Sequence, residues 1–265
     1  MSEAAFHLVQ GAGPLVLSAP HPGLDIPGEI AARLTPEALD QIDADHAVHE
    51  LYDFAQDLGA TTVTARYSRY VVDLNRPPDD ASLYPGQTTT SLVPMETFKG
   101  APVYRAGQEP NEAEIVWRTA LYWKPYHEAL AREIERIKSL HGYCLLWDCH
   151  SIEPVLPRLF DGRLPQLNLG SFEGRACPTP LARAVLAAAE GRDFTAVLDG
   201  RFKGGYITRN YGAPAARTFA LQLELAQDAY LTGLGRSPDP AKKSRLRPAL
   251  FSMLETFLKE APRHV

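Results

Sequence analysis

The chain has 265 residues, 45% of them hydrophobic and 22% charged, with a formal charge of −5 at pH 7. That is enough apolar material for a sizeable core, and although two small domains would fit as well, a single domain over 1–265 is expected, because α/β folds commonly reach this size undivided. Lys and Arg are scattered and form no basic tract, so nucleic acid and anionic membrane are excluded as expected partners.

Cys144, Cys149 and Cys177 are odd in number and lack CxxC spacing, which points to reduced thiols rather than a disulfide scaffold. The opening "MSEAAFHLVQG" has no basic start leading into an apolar run, so no export signal is expected. No apolar stretch approaches the ~20 residues needed to span a bilayer. A cytoplasmic location follows as an expectation.

In chain order, "PLVLSAPHPG" (14–23) predicts a strand over Leu15–Ala19 that ends just before His21. Thr35-Pro36 makes a good N-cap and first turn for a helix over Thr35–Leu58. Strands are predicted at Thr61–Ala65 and Tyr70–Leu74, followed by a long Pro/Gly/Thr-rich connection over 77–107. Long connections inside a compact domain are usually functional. A helix follows over 112–140, with Ile115, Leu121, Tyr122, Leu130, Ile134 and Ile137 as its apolar residues. "YCLLWDCHS" (143–151) predicts a strand over Tyr143–Trp147 that again delivers a histidine, His150. Beyond an irregular 151–175 come a helix over Pro180–Ala189 and a strand over Ala196–Leu198. An irregular 200–216, a strand over Thr218–Leu223 and a helix over Pro248–Lys259 complete the chain. Strands alternating with helices predict a three-layer α/β/α sandwich with a mixed, largely parallel central sheet.

Ligands bind outside the carboxyl ends of the strands in such sheets. His21, His150 and Glu224 each lie at the end of a predicted strand, so two imidazoles and a carboxylate would converge as a metal-and-base constellation. A lone histidine after a strand is more often a loop residue or cap than a ligand, and Glu224 could simply begin a helix. Asp148 is placed to orient His150 or to bind the ion itself. For a third ligand, "IDADHAVHELYDF" (42–54) offers Asp43, Asp45, His46 and His49, and Asp25 lies near His21. Arg76 at a strand end suits bidentate capture of a carboxylate, or else pairing with Asp73, Asp79 or Asp80. In "GRFKGGYITRNYG" (200–212), Lys203 and Arg209 suit an anionic substrate, and Gly204-Gly205 would let backbone approach it. No G-x-S-x-G elbow occurs, which disfavours a serine hydrolase. Cys149 and His150, adjacent on a strand, would diverge rather than form a thiol–imidazole pair.

The blocks "SAPHPG", "YSRYVVDLNRPPDDASLYPGQ", "DCHS", "PRLFDGRLPQLNLG", "GRFKGGYITRNYG" and "QLELAQ" together resemble the N-formylglutamate amidohydrolase family, in order, from about Ser18 to Tyr230. The resemblance implies a zinc-dependent exopeptidase-like fold (phosphorylase/hydrolase-like, zinc carboxypeptidase-like) and hydrolysis of N-formyl-L-glutamate to formate and L-glutamate, a step of histidine breakdown. By similarity to zinc carboxypeptidases it implies His21 and His150 as ligands of Zn²⁺, or of another divalent ion such as Co²⁺ or Mn²⁺. It makes Asn75-Arg76 the reader of the substrate carboxylate and Glu224 the base. The HxxE pair of those enzymes is not kept, since Leu24 stands three residues after His21. Asp45 aligns with an acidic position of the deformylases and is the implied third ligand; they often carry Trp-His after it, where this chain has His46-Ala47. The implied substrate is a small dicarboxylate amide held by Arg76, Lys203 and Arg209, with Arg69 or Arg76 stabilising the oxyanion. A zinc amidase or carboxypeptidase-like hydrolase of another N-acyl amino acid or small peptide stands as the alternative, and a non-catalytic anion-binding protein on the same scaffold as a second.

Overall fold

Seven strands pair into one sheet in the computed structural model, which describes residues 4–83, 86, 89–189, 193–233 and 235–265. They are β1 (Phe6–Val9), β2 (Leu15–Ala19), β3 (Thr61–Ala65), β4 (Cys144–Ile152), β5 (Leu167–Gly170), β6 (Ala196–Leu198) and β7 (Thr218–Ala226). The spatial order is β1-β3-β2-β4-β7-β5-β6. The central four run parallel, whereas β1 is antiparallel to β3 and β5 to β7. The mixed, largely parallel sheet expected from the alternating pattern is therefore present. The chain leaves β2 for β3 on one side and returns to β4 on the other. The carboxyl ends of β2 and β4 thus flank a topological switch point, where open α/β sheets bind ligands.

The described helices are α1 (Gly28–Ala31), α2 (Pro36–Leu39), α3 (Glu112–Arg118), α4 (Lys124–His141), α5 (Thr179–Ala187), α6 (Tyr206–Tyr211) and α7 (Pro240–Glu260). None is long and apolar enough to cross a membrane. Side chains alternate along each strand and so sort into two cores. Leu17, Leu145, Trp147, Leu221 and Leu223 pack with Leu181 of α5 and Leu250 and Met253 of α7. Val16, Val63, Leu146 and Ala220 pack on the other face with Tyr126, Leu130 and Ile134 of α4.

On the α4 face the apolar run stops before the strands do. After Leu146 the same parity brings Asp148 and His150, after Ala220 it brings Gln222 and Glu224, and after Val16 it brings Ser18; all are buried. This face therefore carries polar groups at its carboxyl end.

Several expected elements differ. β4 and β7 run past Trp147 and Leu223, so His150 and Glu224 lie within strands rather than beyond them. Tyr70–Leu74 is a buried chain of turns: Ser68 Oγ accepts from Tyr70 N (3.3 Å) and Asp73 Oδ1 from Asn75 N (2.9 Å), local bonds that compete with sheet pairing. The predicted helix over Thr35–Leu58 begins as expected, with Thr35 Oγ1 accepting from Ala38 N (3.3 Å), but α2 ends at Leu39. Gln41 and Ala47 then adopt left-handed backbone, and only 3₁₀ turns follow at Val48–Tyr52 and Ala55–Leu58. Asp43 and Asp45 are drawn inward to distant partners, which a continuous helix would not allow. β1 and β5, four residues each, lie in segments without a strand prediction. Of the long 77–107 connection, positions 84, 85, 87 and 88 lie outside the described residues, as do 1–3 of the amino-terminal stretch.

Candidate active site

His21, two residues beyond β2, His150 on β4, and Asp45 in the turn before Val48 meet at the switch point. Asp45 is anchored there at two points: its N–H donates to His21 O (3.1 Å) and its Oδ2 accepts from Ser151 N (3.1 Å). The donor atoms of the three side chains all lie within 4.8 Å of one another. His21 Nδ1 is 3.2 Å from His150 Nδ1, and Asp45 Oδ2 lies 2.9 Å from His150 Nδ1 and 3.7 Å from His21 Nδ1.

The outward nitrogens are held as well. His21 Nε2 is 2.7 Å from Asp73 Oδ1, and His150 Nε2 is 3.0 Å from Asp148 Oδ2, itself bonded to Ser18 through Asp148 Oδ1 (2.9 Å). Each Nε2 thus faces a carboxylate acceptor, and each Nδ1 faces the centre of the group, where that of His150 also meets Asp45 Oδ2. A carboxylate behind an imidazole is the usual backing of a metal-ligating histidine. Asp148 thus occupies the orienting position weighed for it from sequence.

Charge supports the same fit. Asp45, Asp73, Asp148 and Glu224 are buried around the imidazoles, with Arg69 as the buried guanidinium among them. Arg69 Nη2 bonds Asp73 Oδ2 (3.0 Å) and lies 3.1 Å from His21 Nδ1. Buried charges must be paired or coordinate a metal, and a divalent cation would offset the surplus here. Burial alone would raise the Asp45 carboxyl, but hydrogen bonds from His150 and His21 and their charges hold it well below the usual range. Burial opposes protonation of His150 too, yet Asp148 and Asp45 raise it well above the ordinary imidazole value. The group therefore attracts positive charge, and its two imidazoles and carboxylate suit a catalytic metal centre.

A pocket opens over this group. His21, Asp45, Arg69, Asn75, Arg76, His150, Arg201 and Glu224 are among its lining residues. Glu224 is the register partner of His150 on the neighbouring strand, and Gln222 Nε2 donates to its Oε2 (3.1 Å). Burial, against the charges of His150 and Arg69, pushes its carboxyl up to about 8. Arg76 directs Nε and Nη2 to Thr90 O (2.8 Å) and Thr90 Oγ1 (2.9 Å), and among the described residues it forms no ion pair with Asp73, Asp79 or Asp80. Asn75 Oδ1 accepts from Ile207 N (2.8 Å), and its Nδ2 is 2.9 Å from His150 Nε2. The side chain thus packs on the imidazole as well as lining the pocket.

The other candidates lie elsewhere. Asp25 takes Arg66 Nε at the surface (2.6 Å). Asp43 accepts from Tyr70 OH (2.8 Å) and Phe98 N (2.7 Å), and His49 is exposed. His46 is buried beside Asp45 but is not one of the converging three. Lys203 and Arg209 are not in the pocket lining: Lys203 Nζ bonds Glu173 Oε1 (2.6 Å), and Arg209 reaches Leu83 O (2.6 Å) and rides over the Phe172 ring. Gly205 lines the pocket, but a Cβ there would come within 2.3 Å of Asn75 Nδ2, so the bare backbone accommodates Asn75. Cys149 faces the opposite core from His150. Arg201 had no role assigned from sequence, and Asp73 only that of a possible partner of Arg76; their signal was membership in the long blocks containing "GRFKGG" and "RYVVDLNR".

Comparison with known proteins places the chain among relatives of one family. A family model described as N-formylglutamate amidohydrolase matches residues 13–231. The chain is 50% identical over 225 residues to an N-formylglutamate deformylase of Pseudomonas aeruginosa, covering 84% of each chain. It is 47% identical to one of Pseudomonas putida, covering 86% of this chain and 84% of the relative. In fold it resembles the crystal structure of N-formylglutamate amidohydrolase from Ralstonia eutropha, with a TM-score of 0.85, 22% identity, and coverage of 99% of this chain and 100% of that one. A protein of Agrobacterium tumefaciens shares the fold at a TM-score of 0.69, 21% identity, and coverage of 98% and 96%. With a family model covering most of its length and curated relatives at about half identity, the chain belongs to the N-formylglutamate amidohydrolase family.

Proposed function

We propose that this chain hydrolyses the formamide bond of N-formyl-L-glutamate to formate and L-glutamate, with a divalent ion, zinc in our reading, on His21, Asp45 and His150. The observation that carries the reading is the convergence of two inward-facing imidazole nitrogens and one carboxylate beneath a pocket lined by Glu224 and guanidinium groups. Family membership supplies the substrate, since the curated relatives at about half identity are named for it.

When bound, such an ion supplies Lewis acidity to the formyl oxygen and lowers the pKa of water. Glu224 is the base: it takes a proton from the attacking water and returns it to the amide nitrogen as the C–N bond breaks. A carboxyl raised by burial suits both transfers, and general acid–base help of this kind is worth ~10²–10⁴-fold. Arg69 contributes fixed positive charge beside the reacting carbonyl. Arg76 and Arg201 are assigned to the substrate's two carboxylates in place of Lys203 and Arg209, which stand outside the pocket lining. Asn75 is assigned to holding the His150 ring.

The test is formate release from N-formyl-L-glutamate by the purified protein, before and after treatment with a chelator and after readdition of metal. Release that stops on chelation and returns with zinc supports the reading. No release with any divalent ion, or release indifferent to chelation, overturns it.

A further inference from the structure

Asn75 and Arg76 sit on a turn with no sheet pairing of its own, so something else must fix them. Trp123 Nε1 donates to Arg76 O (3.0 Å), and His127 Nε2 is 2.8 Å from Leu74 O. These are the carbonyls on either side of Asn75. A carbonyl only accepts, so His127 Nε2 carries the proton and its Nδ1 takes Tyr211 OH (3.0 Å). The two donors are four residues apart on one helix, and their rings stack with centroids 3.8 Å apart and planes 26° apart. The Tyr211 ring lies nearly parallel to His127 (13°, centroids 5.9 Å apart), and Tyr206 packs against Trp123 and His127. Tyr206 and Tyr211 bracket Ile207, whose N–H holds Asn75 Oδ1.

The helix is unusual where the clamp begins. Between α3 and α4 the turn Thr119–Trp123 is a π-helix, in which Lys124 N–H donates to Thr119 O. One extra residue turns the following helix by ~100° relative to the preceding one, and single π-turns of this kind cluster at functional sites. Trp117 before the turn and Leu121 within it are exposed, whereas Trp123 at its end directs Nε1 to Arg76 O.

We propose that Trp123 and His127 are positioning residues for substrate binding: their two ring N–H groups set the Leu74–Arg76 turn and so aim the Arg76 guanidinium into the pocket. The inference rests on the reading of Arg76 as a carboxylate binder. A core-packing role alone would need the rings but not their N–H groups, which gives the test its discriminating variants.

Glutarate, an unreactive dicarboxylate, is titrated calorimetrically into metal-loaded enzyme, alongside KM and kcat for N-formyl-L-glutamate and thermal midpoints. Trp123→Phe keeps an aromatic ring and deletes the donor; His127→Phe does the same, whereas His127→Gln restores an N–H. The expected result is glutarate binding weakened about tenfold by Trp123→Phe and by His127→Phe, with KM rising in step, kcat little changed, and recovery in His127→Gln. Should Trp123→Phe fail to fold, the His127 pair decides alone. Arg76→Ala separates the two readings. If it weakens glutarate binding while the donor deletions leave it within about twofold, the clamp is wrong and the Arg76 assignment stands. If Arg76→Ala itself leaves binding unchanged, the Arg76 assignment fails and the clamp's purpose goes with it.

Discussion

His150 and Glu224 face each other as register partners on β4 and β7, each two residues from the end of a nine-residue parallel strand. The pairing places an imidazole of the converging group and a buried carboxylate side by side on two paired strands. Glu224→Gln keeps volume and the Gln222 contact but removes the proton acceptor. It should retain metal and lose ~10²–10⁴-fold in kcat, measured by formate release with metal content checked on the same sample. Near-normal turnover would remove Glu224 as the base.

Metal retention should depend on two tiers of residues. His21→Ala and His150→Ala each remove one donor of the converging three, and metal content after dialysis should fall far below stoichiometric. Asp148→Asn leaves all three donors and weakens the grip on His150 Nε2, so affinity should drop ~10–100-fold without abolishing binding. Full occupancy in both histidine variants would refute ligation.

The site was legible where chemistry coincides with strand pattern. An apolar run that ends in a polar residue of the same parity exposes its intent, as His150 and Glu224 do. Their exact placement was missed because the pattern stops at Trp147 and Leu223, while the backbone pairing continues under polar side chains. Asp45 could be favoured only through family resemblance. Its segment looks helical, and what breaks the helix is tertiary: Asp43 bonds Phe98 N and Asp45 bonds Ser151 N, partners 55 and 106 residues away. Which cations line the pocket was not legible for a related reason. Lys203 and Arg209 carry the right charge in the right block, but side-chain direction in an irregular segment has no period to read, and Arg201 of that block lines the pocket instead.

Arg201 provides a direct test of dicarboxylate recognition. Losing one hydrogen bond to a charged group costs about 1.5–3 kcal/mol, or roughly 10–100-fold. Arg201→Ala should raise KM for N-formyl-L-glutamate by that order and leave an N-formyl amino acid with an uncharged side chain nearly unaffected. An equal rise for both substrates would mean that Arg201 supports the pocket wall through its bond to Leu159 O rather than reading charge.

His127 makes a prediction about stability independent of turnover. Burial lowers its pKa from the ordinary 6.5 to about 4, against a smaller opposing effect of the Leu74 carbonyl. Below pH 6.5 the unfolded chain takes up a proton that the folded imidazole refuses, so the neutral buried ring favours the folded state above that pH. The advantage shrinks as pH falls towards 4. Between pH 7 and pH 5 the loss amounts to about 2 kcal/mol from this one group. His127→Gln has no titrating ring, so the gap between wild type and variant in urea unfolding free energy should narrow by that amount over the same interval. A gap that stays constant with pH would mean that the His127 ring is protonated as readily when folded as when unfolded, and that its stack with Trp123 tolerates a charge.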